Sequence, residues 1–174
     1  ENDIMKNFVK MRMSDALFYK NMTVDNPNEF IMNEAEKSIQ YYQEIIDHPS
    51  KINMWDEEIL AYFYNSQGYT SYYMSRNVAA GKSEVRDKYL NKALGKLKVA
   101  VENAPNKGRY RRNLGLVYQA QNDLDKAHKT YEEAVENDPL DCKAYNTVVA
   151  LDLKDIDREF GINDRDEKLL NEMT

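Results

Sequence analysis

The sequence predicts an all-α fold assembled from antiparallel helix pairs stacked along the chain. Three observations carry that expectation. Ala100-Val101-Glu102-Asn103-Ala104-Pro105 recurs, little changed, as Ala134-Val135-Glu136-Asn137-Asp138-Pro139, a displacement of 34 residues. A fixed period of this size marks a supersecondary unit repeated along the chain. Apolar side chains then recur at three- and four-residue spacing, as in Leu124, Ala127, Tyr131, Ala134 and Val135, which is the helical period. Six glycines and four prolines in 174 residues are few, and charge is abundant, which suits amphipathic helices rather than disorder.

Around the second copy stand Leu114, Gly115, Tyr118, Ala127, Tyr131, Ala134 and Pro139, and upstream Ala93, Leu97, Ala100 and Pro105 hold the matching later places. That order and spacing resembles the tetratricopeptide repeat, a helix–turn–helix unit of this length. The resemblance implies a right-handed superhelical stack of antiparallel helix pairs, an α-solenoid, closed by a C-terminal capping helix. It implies that the first helices of successive repeats line a concave groove. It also implies a non-catalytic role in binding other proteins, with no cofactor and no metal.

One domain is expected over residues 1–174, in four parts. Residues 1–50 read as a divergent helical pair. Met5 to Lys20 has helical spacing through Phe8, Met11, Ala16 and Tyr19. Pro27 suits the start of a second helix, which continues through Ala35, Ile39, Tyr42 and Ile46 until His48-Pro49-Ser50 ends it. Residues 54–105 read as an elongated repeat, with a first helix from about Asp56 to Asn77 and a second from Ser83 to Ala104.

In an antiparallel hairpin, residues equidistant from the turn face each other. Gly115 and Ala127 are centred on residue 121; Gly68 and Ala93 are centred between residues 80 and 81, where Ala80-Gly81 makes a turn. Gly68 is therefore expected in the role of Gly115. The separation is 25 residues instead of 12, which adds roughly two turns to each helix at ~3.6 residues per turn. The hairpin should protrude, with its tip near Asn77 to Ser83.

Residues 108–139 read as a standard repeat: Arg109 to Ala120 with Leu114, Val117 and Tyr118 on one face, a turn at Asn122-Asp123 with Asp123 as cap, and Pro139 as the stop. Residues 141–174 read as a partial repeat and a capping helix. Asp141 caps a helix to about Leu153, with Tyr145 and Val148 expected on its buried side. Asp152 stands where Tyr118 stands in the standard repeat, which departs from the pattern. Residues 155–174 are expected to form a charged final helix, docked through Ile156, Phe160, Leu169 and Leu170.

Composition excludes some functions. A net charge of −6 and the lack of a continuous basic stripe argue against nucleic-acid binding. No apolar run approaches the ~20 residues of a membrane-spanning helix. Cys142 is the only cysteine, so no intrachain disulfide forms. That tilts the compartment toward the cytoplasm without excluding an extracytoplasmic one. The chain opens at Glu1 with neither a methionine nor an apolar export segment, which reads as a piece of a longer protein.

Local motifs for chemistry are incomplete. Gly81-Lys82-Ser83 lacks the glycine a phosphate loop needs five residues earlier, where Arg76 stands, and Ser71 to Val78 reads as helix. It is expected to be a hairpin turn with a serine cap. Asp155, Asp157 and Glu159 alternate like calcium ligands, but Phe160 occupies the place of the required glycine. His48 and His128 belong to no metal-binding pair.

The groove implied by the resemblance supplies the candidate site. Its first-helix positions are Tyr62, Asn65, Tyr69 and Tyr72, then Arg109, Arg112, Leu116 and Gln119, then Lys143, Asn146 and Ala150. It should be aromatic at one end and basic toward the middle, which suits an extended peptide carrying an acidic group and an apolar anchor. Reversing the charge of both Arg109 and Arg112 is expected to weaken partner binding and to spare helicity.

Some members of the family clamp an acidic chaperone tail with five groove residues. Asn113 and Lys143 match two of those places, while Asn65, Tyr69 and Thr147 do not match the other three, which argues against that activity. Self-association, and a role as an accessory domain of a larger enzyme or membrane protein, stay open as alternatives.

Overall fold

A computed structural model describes residue 7 and residues 10–12, 14–15, 29–47 and 56–160. Every regular element among these is α-helical. Residues 7, 10–12, 14 and 15 are helical, and six helices follow: α1 (Glu29–Asp47), α2 (Glu57–Arg76), α3 (Ser83–Asn103), α4 (Gly108–Ala120), α5 (Leu124–Asn137) and α6 (Cys142–Phe160). Each packs on its neighbours in the chain. The expected helix at Met5 to Lys20 is described only at those few positions, and Pro27 and His48-Pro49-Ser50 lie outside the described residues.

Local chemistry sets the helix ends. Asp56 caps α2 by accepting the Ile59 N–H at 2.8 Å, and Glu57 and Glu58 in the first turn favour the positive end of the helix dipole. Asp123 caps α5 through the Lys126 N–H, and Asn122 before it takes φ 62°, a left-handed conformation asparagine tolerates. The echoed segments end their helices alike. Ala104 (φ −143°, ψ 73°) and Asp138 (φ −144°, ψ 83°) each donate their N–H to the carbonyl four residues back, and each precedes a proline.

One detail differs from expectation. Lys82, not Ser83, is the N-cap of α3 and makes no side-chain cap bond, because Ser83 already lies inside the helix. Gly81, at φ +87°, makes the turn.

The hairpins are antiparallel, and their contacts run in opposite directions along the two helices. Ala61 of α2 clusters with Ala100 and Ala104 of α3; further along, Tyr72 clusters with Leu90, Ala93 and Leu97. A Cβ at Gly68 would lie 2.5 Å from Leu97 Cγ and 3.1 Å from the Ala93 carbonyl oxygen. In the second hairpin a Cβ at Gly115 would lie 2.7 Å from the Tyr131 ring. The side chain crowding Gly115 is thus Tyr131 rather than Ala127. Leu97 and Tyr131 stand 34 residues apart, so both glycines face the same place in the repeat. Glycine there lets a large buried side chain rest on the helix backbone.

α2 and α3 have 20 and 21 residues, against 13 and 14 in α4 and α5. The turn after α4 meets α3 at Asn91, which accepts a bond from Gln121 at 3.2 Å. The α2–α3 tip extends beyond that level, and residues 79–88 are all exposed.

α2 is the central helix, covered by α1, α3 and α4. Its buried surface includes Ser66, Thr70, Ser71 and Ser75. Ser71 and Ser75 donate to the carbonyls of Gln67 and Tyr72 on their own helix and so keep their hydrogen bonds, whereas the buried Thr70 Oγ1 has no partner among the described residues. α1 fits along it with Tyr42, Ile45 and Ile46 against Phe63, and Ala35 against Met74.

α6 departs from the sequence reading. It continues through Phe160 rather than stopping near Leu153, so residues 155–160 extend it; the rest of the expected capping helix, 161–174, lies outside the described residues. Its buried side includes Ala144, and Val148 and Leu151 pack against Ala127 and Tyr131 of α5. Tyr145 was expected there but is 57% exposed; Ala144 is the buried residue of that turn.

Candidate functional site

The first helices of the two hairpins, α2 and α4, together with the start of α6, line a groove formed by two adjoining cavities. The first, about 610 Å³, is bounded by Tyr62, Asn65 and Tyr69 of α2, Arg109 and Tyr110 of α4, and Arg12 from the N-terminal helical residues. The second, about 420 Å³, is bounded by Tyr69, Arg109, Arg112, Leu140 and Lys143. Tyr69, Arg109 and Asp138 border both cavities. Of the eleven candidate residues, Tyr62, Asn65, Tyr69, Arg109, Arg112 and Lys143 meet there.

Their surroundings separate them. Arg109 and Lys143 are exposed, and among the described residues neither side chain has an ion-pair partner. Tyr62 is 38% exposed and its hydroxyl accepts a bond from Arg12 at 3.2 Å. The Tyr69 and Tyr73 hydroxyls lie 3.0 Å apart, with their rings edge-to-face at 4.8 Å. Asn65 is buried and accepts a bond from the Asn113 amide at 2.9 Å, which ties α4 to α2 beneath the groove, where Asn113 also borders the second cavity.

Arg112 is the main correction. Its Nε lies 2.6 Å from Asp141 Oδ2, and both side chains are largely buried, 16% and 11% exposed. The other Asp141 oxygen accepts the N–H groups of Lys143 and Ala144, capping α6. Burial pulls the Asp141 pKa upward, but the guanidinium and the two amides outweigh it and hold the carboxyl below its ordinary value. Arg112 therefore joins α4 to the start of α6. A glutamate there would face Asp141, so the double reversal of Arg109 and Arg112 would disturb the fold as well as the groove.

The remaining candidates do other work. Tyr72 is in the core, 6% exposed, against Leu90, Ala93 and Leu97, because its α2 position faces α3. Leu116 is half-buried against two core clusters, and Gln119 accepts the Tyr131 hydroxyl at 3.1 Å. Asn146 and Ala150 are exposed on α6 but border neither cavity.

Sequence reasoning missed Arg12, Tyr110, Asp138 and Leu140, which border the groove from helix corners and the N-terminal segment. The signal for Leu140 was an apolar residue directly after a helix-stopping proline; it is 88% exposed. Among the described residues, no three His, Cys, Asp or Glu side chains could hold a metal ion, and no helix is long and apolar enough to cross a membrane.

This architecture defines a helical-repeat protein in which helix pairs of one register share a groove along their first helices. Residues 108–141 match the family model described as Tetratricopeptide repeat. The match spans the α4–α5 hairpin and the approach to α6. No curated protein matches the chain.

Proposed function

We propose that the chain is a non-catalytic scaffold that binds an extended segment of a partner protein along this groove. The observation that carries the reading is the pair of cavities joined at Tyr69 and Arg109, the second bordered by Arg109 and Lys143, two exposed cations without an ion-pair partner among the described residues. A carboxylate of the partner fits between them, and an apolar side chain fits beside Leu140 and Tyr69. Tyrosine surface supplies affinity through burial, and the cations fix register through charge-assisted hydrogen bonds. The family supports a protein-interaction role in general; the acidic segment is the inference from these side chains.

The test is a peptide-display selection on the intact chain, followed by calorimetric titration of the selected peptide against wild type and the double variant R109E/K143E. Both positions are exposed, so helicity should be unchanged. Binding should weaken at least about tenfold, which is ~1.4 kcal/mol. An unaltered Kd for an acidic peptide would refute the assignment.

A further inference from the structure

Gly95 stands in the middle of α3, where glycine is less favourable than any ordinary helix residue. Nothing inside the chain requires it. A Cβ there would meet nothing within 4 Å, and among the described glycines only Gly81 takes a positive φ. The repeat does not require it either, since Lys129 holds the same place 34 residues later. Gly95 lies at the centre of an exposed stripe, Glu84, Lys88, Asn91, Gly95, Lys98 and Glu102, spaced by four and three along one side of the helix. A bare backbone on an exposed helix lets another backbone approach closely.

The charges of the stripe indicate the occupant. Placed antiparallel on itself about a two-fold axis at Gly95, it sets Lys88 against Glu102 of the second copy and Glu102 against that copy's Lys88, each seven residues from the axis. Lys98 meets Asn91 of the other copy, whose side-chain oxygen has a second lone pair beside the bond it accepts from Gln121. Lys88, Lys98 and Glu102 are exposed, and none has an ion-pair partner among the described residues. We propose that a second copy of the chain docks antiparallel on this face of α3, forming a two-fold dimer.

α5 shows why the face belongs to α3. There the corresponding places hold Asp125, Lys129, Glu132 and Glu136, so the same arrangement would set Asp125 against Glu132 and centre a lysine on itself. In a chain of net charge −6, a balanced stripe, with Lys88 and Lys98 against Glu84 and Glu102, is a place where a second copy is not repelled. Exposed ion pairs contribute little each, so the dimer is transient and forms at high protein concentration. The groove is lined by first helices and α3 borders neither of its cavities, so this proposal does not rest on peptide binding.

The test is sedimentation velocity on the full chain from low micromolar to submillimolar concentration. Wild type should shift toward dimer as concentration rises. K88E and E102K, both at exposed positions, should each weaken self-association at least about tenfold, because each sets two like-charged pairs face to face. Mixed in equal amounts, the two variants should associate again, since in the mixed dimer both pairs join opposite charges. G95L should also abolish the dimer while circular dichroism shows helicity retained. Any of four results would overturn the proposal: wild type monomeric throughout; a dimer unchanged by K88E and E102K, which would put the contact on another face; a mixture of the two variants no more associated than either alone; or a dimer that tolerates G95L.

Discussion

Replacing Gly68 with alanine adds one methyl group where α2 and α3 come closest. Two effects oppose each other. In a helix interior alanine is favoured over glycine by ~1 kcal/mol. At residue 68, however, the methyl would stand 2.5 Å from Leu97 Cγ and 3.1 Å from the Ala93 carbonyl oxygen. Leu97 is fully buried, Cγ is the branch point of its side chain, and the oxygen is backbone, so neither yields unless the helices part. Overpacking of a close-packed core costs about 1–3 kcal/mol, and a contact this short belongs at or above the upper end. The net expectation is a loss of about 2 kcal/mol.

Gly95 provides the internal control, because it is exposed on α3 and a Cβ there would meet nothing within 4 Å. G95A should gain about 1 kcal/mol. For a chain of this size ~1 kcal/mol moves Tm by about 2–4 °C. G68A should therefore lower Tm by about 4–8 °C and G95A should raise it by about 2–4 °C, read by calorimetry and by urea titration with circular dichroism. A G68A protein as stable as G95A would refute the close approach and the register built on it.

Two further predictions concern Arg112 and Asp141. R112E should cost about 3 kcal/mol, because it breaks a mostly buried pair and sets two carboxylates against each other, whereas R109E should stay within about 0.5 kcal/mol; urea midpoints of the two variants check the difference. The pair also predicts a pH dependence. Because the Asp141 pKa is depressed in the folded state, its stabilisation is complete above the unfolded value of ~3.9 and is lost as pH falls through the folded value. Asp15 has the opposite sign: burial raises its pKa despite bonds from Ser38 and Tyr42, so its protonation favours the folded chain as pH falls. D141N keeps a capping side chain but removes the charge, so its urea midpoint should fall less than that of wild type on acidification below about pH 4. Parallel acid limbs for the two proteins would contradict the role given to the pair.

The helix pairs were legible because helix ends and close approaches follow from local sequence. The 34-residue echo placed both helix stops, and centring on the turn led from Gly115 to Gly68 without any three-dimensional information. Charge pairing was less legible. Arg112 and Asp141 are 29 residues apart, and nothing in their local sequence says that the capping carboxylate of one helix also receives a guanidinium from another. Burial on α6 was misread at Tyr145 for a related reason: a first helix has one side for the preceding pair and another for its own second helix, and periodicity does not say which of two adjacent residues meets which. The groove was half legible, since residues on the faces of first helices were named and those at the corners, such as Leu140 and Arg12, were not.

The repeat register explains why some groove candidates belong to the stack and others to the surface. Tyr62, Arg109 and Lys143 hold one place in successive first helices; Asn65, Arg112 and Asn146 hold the place three residues later. In the second row, Asn65 receives the amide of Asn113 from the next pair, and Arg112 holds Asp141 at the start of the next helix. Each spends its polar group on the following unit. In the first row Arg109 and Lys143 face solvent, and Tyr62 is partly open beneath Arg12. Neighbouring turns of one helix thus divide two tasks: one row joins each pair to the next, and the other faces whatever enters the groove. Substitutions in the first row can change partner preference at little cost in stability, whereas substitutions at Asn65 or Arg112 loosen the stack whatever they do to binding.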